Sequence, residues 1–329
     1  SARGAGERRL QRRCSGLVQA VIRLAMTTVP EDDTATSHRP LTEGAPGDAP
    51  RRAVSSPEAA PDHGAFAPGL AARVGLAIGR RLPAGRTGLR LAGAARPLAL
   101  TGLKEGCSDV EALGLRLRLH PKDNLSEKRL FLTPQCFDPA ELDAVRAVMG
   151  PGKVFFDVGA NAGAYALVAA RAGGRTSRVV AVEPQAEMRR RLLFNAPQNG
   201  LEQLEVTGVA LADYEGEDVM RMVRGNLGRA ALTGPGEATG EAVRVTTLPR
   251  LMEEMRVARI HAMKIDVEGG EFAILSAYFK RIEADSWPEL LILEHADLGG
   301  RDAPDAAALA QSRGYKVHDK TRMNVILTR

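Results

Sequence analysis

The pattern of apolar and polar residues along the chain changes near residue 100. Between residues 27 and 97, Ala, Pro, Gly, Arg and Asp predominate, and Phe66 is the sole aromatic side chain. Such a segment buries too little apolar surface to offset the entropy lost on ordering. We therefore expect residues 1–105 to be mostly disordered, with one short helix over 69–81, and residues 1–100 to be dispensable for binding of a ligand. The first methionine is Met26, and both translation from Met26 and a weak targeting segment before it stay open.

A different pattern begins at Leu113. In LGLRLRL, leucine alternates with glycine or arginine, which is typical of a half-buried strand. A helix is predicted over 139–149, with Asp138 as its N-cap and Pro139 in its first turn. Residues 106–150 are therefore expected to form strands and a helix attached to the domain that follows.

From residue 151 onward, apolar runs alternate with helical stretches. This alternation indicates parallel strands joined by crossover helices, and the apolar runs indicate burial on both faces of a sheet. The predicted strands are 153–158, 178–183, 204–211, 259–265 and 288–294, and the predicted helices are 162–172, 185–196, 269–283 and 303–313.

The chain ends with two further strand patterns, 315–319 and 323–328, joined by a short polar turn. Two strands so close in sequence can pair only as an antiparallel hairpin. The prediction for residues 151–329 is therefore an α/β domain, a doubly wound sheet that ends in an antiparallel hairpin. A dinucleotide-binding dehydrogenase would continue with parallel crossovers instead.

Charge and cysteine content narrow the classes of partner. The first 100 residues hold 15 arginines and 8 acidic residues, whereas the remainder holds 30 basic and 32 acidic residues. A basic excess confined to the N-terminal segment does not predict a nucleic-acid partner for the folded region. No apolar run reaches the roughly 20 residues that span a bilayer. Cys14, Cys107 and Cys136 are too scattered for a disulfide framework, which favours a cytoplasmic protein.

The strongest local signal is FDVGANAG at 156–163, a strand that runs into a glycine turn and then a helix. Glycines at such a turn let a ligand approach the backbone, and the helix N-terminus directs N–H groups at it. Asp157 ends the strand, and Asn161 stands where a dinucleotide fingerprint has its second close-approach glycine. A carboxylate here suits a cationic amino group and would repel a pyrophosphate. An ordinary turn without a ligand is the alternative.

Acidic residues also follow two other predicted strands. Glu183 ends the second strand, where a carboxylate can accept hydrogen bonds from ribose hydroxyls; a solvated loop carboxylate is the alternative. In KIDVEGGE at 264–271, Lys264 and Asp266 share one face because they are two residues apart. Ligands of doubly wound sheets bind outside the carboxyl ends of the strands, so Asp266 is expected to face the ligand. A purely structural ion pair between the two residues stays open.

Four more polar residues lie near the same predicted edge of the sheet. Glu268 and Glu271 fall in a first helical turn, where a carboxylate stabilises the helix dipole by about 0.3–1 kcal/mol, which can by itself account for Glu271. Glu294 and His295 end the fifth predicted strand. A histidine at a strand end is more often a hydrogen-bonded structural residue than a base.

Five segments together resemble the FkbM family of methyltransferases: DVGANAG at 157–163, VEP at 182–184, NAPQNGL at 195–201, GVALADYEG at 208–216 and KIDVEGGE at 264–271. The resemblance covers about residues 113–329. It implies a class I methyltransferase (Rossmann-like) fold. For most characterised relatives it also implies transfer of a methyl group to a hydroxyl oxygen of a sugar, polyketide or related natural product.

The resemblance also implies S-adenosylmethionine as the methyl donor. By motif, the residues that would contact this cofactor are Asp157, Gly159, Ala160, Asn161, Gly163 and Glu183. The residues at the reaction centre would be Lys264, Asp266 and Glu268, with Glu294 as a further candidate. An aliphatic hydroxyl must lose its proton, so Asp266 is the first choice as a base or as a ligand of a divalent metal, and the sequence leaves both roles open.

Two other functions stay open at this stage. An NAD(P)-dependent oxidoreductase would use the same crevice, although Asp157 and the closing hairpin argue against it; a non-catalytic adapter would keep the fold. The sequence lacks the motifs of amino-group and cytosine-carbon methylation, which favours oxygen as the methyl acceptor. We expect a small-molecule or glycan acceptor. The ratio of 37 arginines to 8 lysines indicates a GC-rich bacterial genome.

Overall fold

A computed structural model describes residues 61–222, 230–232, 240–294 and 305–329. The chain divides into two units, Ser1–Ala65 and Phe66–Arg329. The described residues of the first unit form a turn in which the N–H of Ala65 donates to the carbonyl oxygen of Asp62. No helix within the described residues is long and apolar enough to cross a membrane.

The second unit contains α-helices and strands in alternation. Its α-helices are α1 (Leu70–Arg80), α2 (Arg86–Ala99), α3 (Leu125–Leu132), α4 (Pro139–Val148), α5 (Ala164–Gly173), α6 (Ala186–Asn195), α7 (Leu248–Glu254), α8 (Glu271–Arg281) and α9 (Ala306–Ser312). Its strands are β1 (Ser108–Ala112), β2 (Leu115–Leu119), β3 (Val154–Val158), β4 (Arg178–Val182), β5 (Leu204–Thr207), β6 (Ala210–Leu211), β7 (Gly216–Met222), β8 (Ala230–Leu232), β9 (Glu241–Thr246), β10 (Ala262–Ile265), β11 (Leu290–Glu294), β12 (Lys316–Lys320) and β13 (Asn324–Thr328).

A seven-stranded sheet lies at the centre of this unit. Its strand order is β12-β13-β11-β10-β3-β4-β5. Neighbouring strands from β11 to β5 are parallel, whereas β13 runs antiparallel to both β11 and β12. The predicted α/β sheet with its C-terminal hairpin is confirmed. The arrangement is the class I methyltransferase (Rossmann-like) fold.

The two faces of the central sheet bury alternate side chains of the same strands. Phe155 and Ile292 pack into one core with α3, α4 and α5, whereas Phe156 and Leu293 pack into a second core with α7, α8 and α9. This division follows from the two-residue period of a strand. Because both faces are covered, β3, β4, β10, β11 and β13 are apolar at nearly every position, and their uninterrupted apolar runs made them predictable.

The segment 204–211, predicted as one strand, forms two. β5 pairs with β4 in the central sheet, whereas β6 pairs with β9 in a separate four-stranded sheet of order β6-β9-β7-β8. Ala210 of β6 packs with Met220 and Val245 in a small core of that second sheet. The apolar pattern crosses the break because both strands bury side chains, although they do so in different cores.

Helices α1 and α2 occupy part of the segment for which the composition predicts disorder. The expected helix over 69–81 is present as α1, but α2 was not predicted. A Cβ atom on Gly75 would overlap the backbone of Ala99, and one on Gly79 would overlap the carbonyl oxygen of Leu132. Small residues thus allow close contact between backbones, so these helices pack tightly without aromatic side chains.

A buried ion pair holds the beginning of the second unit. Arg118 of β2 donates two hydrogen bonds to Asp109 of β1, at 2.7 and 2.9 Å. Its guanidinium group also lies over the rings of Phe66 and Phe194. The carboxylate of Asp109 and the two aromatic rings together compensate the positive charge of the buried Arg118. The packed part of the chain starts earlier than the composition indicates, and the disorder expected for residues 1–60 falls outside the described residues.

Candidate functional site

An open cavity of about 740 Å³ lies at the carboxyl ends of β3, β4, β10 and β11. Doubly wound sheets bind ligands at this position. The predicted site residues that line the cavity are Gly159, Ala160, Asn161, Glu183, Lys264, Asp266, Glu268 and Glu294. Two predicted cofactor residues, Asp157 and Gly163, lie behind this wall.

Gly159 and Gly163 are required by contacts within the protein. Their φ angles are 76° and 87°, which favour glycine. A Cβ atom on Gly159 would overlap the carbonyl oxygen of Asp266, and one on Gly163 would overlap the side chain of Leu192. These glycines make room for the end of β10 and for α6, and the contacts hold the turn between β3 and α5 in place. The expected approach of a ligand to this turn stays a prediction.

Asn161 connects the glycine turn to two other parts of the site. Its φ of 53° is a conformation that asparagine tolerates better than most residues. Its N–H donates to Oε2 of Glu183 at 2.7 Å. Its side-chain oxygen accepts hydrogen bonds from Nδ2 of Asn124 and from the N–H of Ala162, each at 2.7 Å. The turn is therefore held by hydrogen bonds from both sides.

Glu183 lies in the cavity wall although only 5% of the residue is exposed. Besides the bond from Asn161, its Oε1 accepts a hydrogen bond from the N–H of Gln185 at 2.9 Å. Burial raises the pKa of the carboxyl group, and the two backbone N–H groups counteract part of the rise. The alternative of a solvated loop carboxylate is wrong. Each oxygen keeps a further lone pair with which to accept a ligand hydroxyl.

Asp157 is buried below the glycine turn. Its Oδ2 accepts a hydrogen bond from the N–H of Ala166 at 2.9 Å, whereas its Oδ1 has no partner among the described residues. Burial raises the pKa of this carboxyl group to about 6, and the positive charge of Lys264 opposes part of the rise. A buried oxygen without a partner is uncommon and marks a place where a ligand or water can donate.

Lys264 and Asp266 form an ion pair at the end of β10, with Nζ and Oδ2 at 2.9 Å. Their predicted position on one face of the strand is confirmed. The side chain of Lys264 is buried, whereas that of Asp266 is 38% exposed and lines the cavity. Lys264 also lies opposite Asp157 in the sheet register. Burial alone lowers the pKa of Lys264, but Asp266 and Asp157 together raise it above its ordinary value.

Tyr165 and Asp138 extend this cluster along the wall. Nζ of Lys264 lies 5.0 Å from the ring centroid of Tyr165, whose hydroxyl donates to Asp138 at 3.1 Å. Asp138 also accepts a hydrogen bond from Arg129 at 2.8 Å. Asp138 occupies the predicted N-cap position of α4, but its side chain makes no capping hydrogen bond. The carboxylate of Asp138 instead accepts a charge-assisted hydrogen bond from the guanidinium group of Arg129.

Glu268 and Glu271 have different positions. Oε1 of Glu271 accepts hydrogen bonds from the N–H groups of Val267 and Gly269, at 2.9 and 3.2 Å. Glu271 therefore closes the turn before α8, a more specific role than the dipole interaction expected of it. Glu268 has φ of 60° and lines the cavity, so it lies within reach of a ligand.

Glu294 ends β11 at the cavity and is half-buried. Burial raises the pKa of its carboxyl group to about 7; the negative charges of Asp266 and Glu268 add to the rise, and Lys264 opposes it. A carboxyl group that titrates near neutral pH can both take and release a proton under physiological conditions. His295 lies outside the described residues.

The sequence reasoning missed Asn124 and Tyr165, and it missed the contacts that Asp138 makes with Tyr165 and Arg129. The pattern NLSE at 124–127 resembles a capping box and does mark the start of α3, where Asn124 accepts a hydrogen bond from the N–H of Glu127. No local signal links Asp138 to Tyr165, because they are 27 residues apart. Within the described ranges, no group of three or more His, Cys, Asp or Glu could hold a metal ion.

Comparison with known proteins shows two remote similarities of fold. Among the curated proteins no significant match is found. A remote structural similarity links the chain to an rRNA methylase from Streptococcus thermophilus, with 12% identity over 58% of this chain and 94% of that chain and a TM-score of 0.35. Another links it to precorrin-6y C5,15-methyltransferase from Geobacter metallireducens, with 11% identity over 58% and 86% and a TM-score of 0.36.

The family comparison covers every predicted site residue. The sequence model of the methyltransferase FkbM domain matches residues 157–317, a range that runs from the glycine turn through the ends of β4, β10 and β11. All the predicted site residues fall within that range. Residues 157–317 therefore belong to the FkbM family of methyltransferases.

Proposed function

We propose that this chain is an S-adenosylmethionine-dependent methyltransferase that methylates a hydroxyl oxygen of a small-molecule or glycan acceptor. The proposal rests on one observation, the convergence of the glycine turn, Glu183 and the Lys264–Asp266 pair on a single cavity at the carboxyl ends of the parallel strands. The FkbM domain match supports the same class of reaction.

The side of the cavity next to β3 and β4 fits S-adenosylmethionine. Glu183 has lone pairs free to accept hydrogen bonds from the two ribose hydroxyls. The unpaired Oδ1 of Asp157 fits a cationic amino group, which would reach this buried oxygen through a bridging water. A cation bound there would favour the ionised form of Asp157, whose pKa burial has raised to about 6.

The side of the cavity next to β10 and β11 suits an uncharged acceptor. Asp266, Glu268 and Glu294 all line it. The two cations in this wall, Lys264 and Arg129, are each paired with a carboxylate. Such a surface repels phosphate groups and accepts hydrogen bonds from hydroxyls, so it favours a polyhydroxylated acceptor over a nucleic acid.

When bound, S-adenosylmethionine supplies the methyl group for an in-line displacement; the chain must orient the acceptor hydroxyl and take its proton. We assign proton acceptance to Glu294, because a pKa of about 7 matches a base that works near neutral pH. Asp266, held by Lys264, is placed to orient the hydroxyl as a hydrogen-bond acceptor. Proton acceptance by Asp266, the first choice from the sequence, is the alternative.

Calorimetry with S-adenosylmethionine and mass spectrometry of reactions with sugar and polyketide alcohols test this function. We expect binding of the cofactor and products heavier by one methyl group, with the methyl on oxygen. Glu289→Gln is the matched control for substitution of Glu294 by glutamine. Glu289 immediately precedes β11, and its carboxylate pairs with Lys153 outside the cavity lining. Failure of S-adenosylmethionine to bind would refute the proposal, and a methyl group found only on nitrogen or carbon would refute its choice of acceptor.

A further inference from the structure

Helix α1 has two apolar faces, of which one is exposed to solvent. The residues packed against the rest of the domain are Ala72, Gly75, Leu76 and Gly79. On the opposite side, Leu70 is 80% exposed and Val74 is 44% exposed. A surface helix ordinarily has a single apolar stripe, directed at the core. The outer stripe of α1 therefore has no role in the folding of the domain.

Arginines accompany these exposed apolar side chains. With about 100° of rotation per residue, Arg73 and Arg81 project from the same side of α1 as Leu70 and Val74, and both arginines are exposed. Helix α2 packs against α1 and also carries exposed side chains, among them Arg90 and Leu91. We call the exposed side chains of Leu70, Arg73, Val74, Arg81, Arg90 and Leu91 the basic face.

The positive charge of the basic face is uncompensated. From residue 67 to residue 103 the sequence contains six arginines and no acidic residue. The ion pairs found within the described residues include none of Arg73, Arg81 and Arg90. Elsewhere in this unit, exposed arginines such as Arg146, Arg190 and Arg250 each pair with a carboxylate of a neighbouring turn.

Two kinds of polyanion could complement this charge, a nucleic acid or an anionic membrane. Single-stranded nucleic acids bind surfaces on which aromatic side chains stack with the bases, and the basic face has no aromatic residue. It has three exposed aliphatic side chains. A phosphate backbone offers them no apolar surface, whereas the interface of a bilayer can bury them. The combination of arginine and aliphatic residues therefore favours lipid.

We propose that the basic face docks the protein on the surface of an anionic membrane. Arginines would contact lipid phosphates, and Leu70, Val74 and Leu91 would enter the boundary between headgroups and acyl chains. This binding is peripheral and does not depend on the methyltransferase function.

The test is flotation of the full-length chain with vesicles of phosphatidylcholine alone and of phosphatidylcholine with phosphatidylglycerol. We expect binding only to the anionic vesicles and a decline with rising salt. Each arginine near such a surface contributes about fivefold to the partition coefficient, so Arg73→Gln/Arg81→Gln should reduce it by about 25-fold. Leu70→Ser/Val74→Ser should also reduce binding, although the charge is unchanged, because these side chains would no longer enter the interface.

Arg281→Gln/Arg313→Gln is the matched control, since it removes the same charge from exposed positions far along the chain. Its partition coefficient should change by less than about twofold. All of the substituted side chains are exposed, and unchanged melting temperatures will confirm that the variants fold. The proposal fails if the chain does not bind anionic vesicles, if both double variants of α1 bind as well as the control, or if the arginine variant loses affinity for a single-stranded RNA while its vesicle binding is unchanged.

Discussion

The ammonium group of Lys264 lies 2.9 Å from Oδ2 of Asp266, and both side chains project from one face of β10. The cation is buried, whereas the carboxylate extends into the cavity. A buried ammonium group without a partner would be costly, so the pair holds Asp266 in one position. The same contact thus satisfies a structural need and orients a group that can contact the acceptor.

Asp266→Asn should retain S-adenosylmethionine binding and reduce methyl transfer by a factor of about 10²–10⁴. Asparagine keeps the size of the side chain but loses the charge that accepts a hydrogen bond from the hydroxyl. Calorimetry and turnover on the best surrogate alcohol measure the two effects. Turnover close to that of the unmutated protein would exclude a role for Asp266. A rate of the unmutated protein that falls with a chelator and recovers with Mg²⁺ would assign Asp266 to a metal instead.

The pH dependence of kcat/KM should report the titration of Glu294. A base must be ionised, so activity should fall about tenfold per pH unit below the pKa of about 7. Glu294→Gln should lower the rate and remove this inflection, whereas Asp266→Asn should lower the rate and keep it. If the inflection persists in Glu294→Gln and disappears in Asp266→Asn, the proton acceptor is Asp266.

Glu183→Gln should weaken S-adenosylmethionine binding by about 10- to 100-fold, because an amide replaces a charged acceptor of the ribose hydroxyls. Glu202→Gln provides the control, since Glu202 is a highly exposed carboxylate in a surface pair with Arg175. Calorimetry measures both affinities, and thermal melting checks the turn that Glu183 supports. Equal affinities for the two variants would contradict the assignment of Glu183 to the cofactor.

The free energy of unfolding should depend on pH through Asp157. Its pKa is about 6 in the folded chain, against an ordinary value of 3.8. Between these values the folded chain holds a proton that the unfolded chain has lost, so this group should lower the stability as the pH rises through the window. Burial also raises the pKa values of Glu183 and Glu294, and both groups should add to the slope. Urea unfolding at pH 4, 5, 6 and 7 measures the slope. Asp157→Asn should reduce it, and an unaltered slope would show that the other two groups are responsible.

Removal of residues 1–60 should leave the fold intact, whereas removal of residues 1–100 should destabilise it. The longer deletion takes away α1 and α2, and with them the buried Leu76, Ala95 and Ala99. Loss of these contacts should lower the free energy of unfolding by about 3 kcal/mol or more. Urea unfolding of both truncated proteins measures the difference. Equal stabilities would support the earlier expectation that the whole segment is dispensable.

Local periodicity was sufficient to predict the central sheet and, except for β5, the carboxyl ends of its parallel strands. A strand covered on both faces must be apolar at nearly every position, so its apolar run ends where it leaves the core. Asp157, Glu183, Asp266 and Glu294 could be placed at one edge for this reason, because parallel strands end on the same side. The two-residue spacing of Lys264 and Asp266 likewise implied a shared face, which their ion pair confirms.

Other properties of the site depend on groups that are distant in sequence. The pKa of Glu294 reflects its burial and the charges of β10, and Asp138 meets Tyr165 and Arg129 only because α3, α4 and α5 pack together. The order of α1 and α2 likewise arises from close backbone contacts of Gly75 and Gly79. Desolvation, Coulomb interaction and packing all depend on distances in space, and the chain acquires those distances only when its elements assemble.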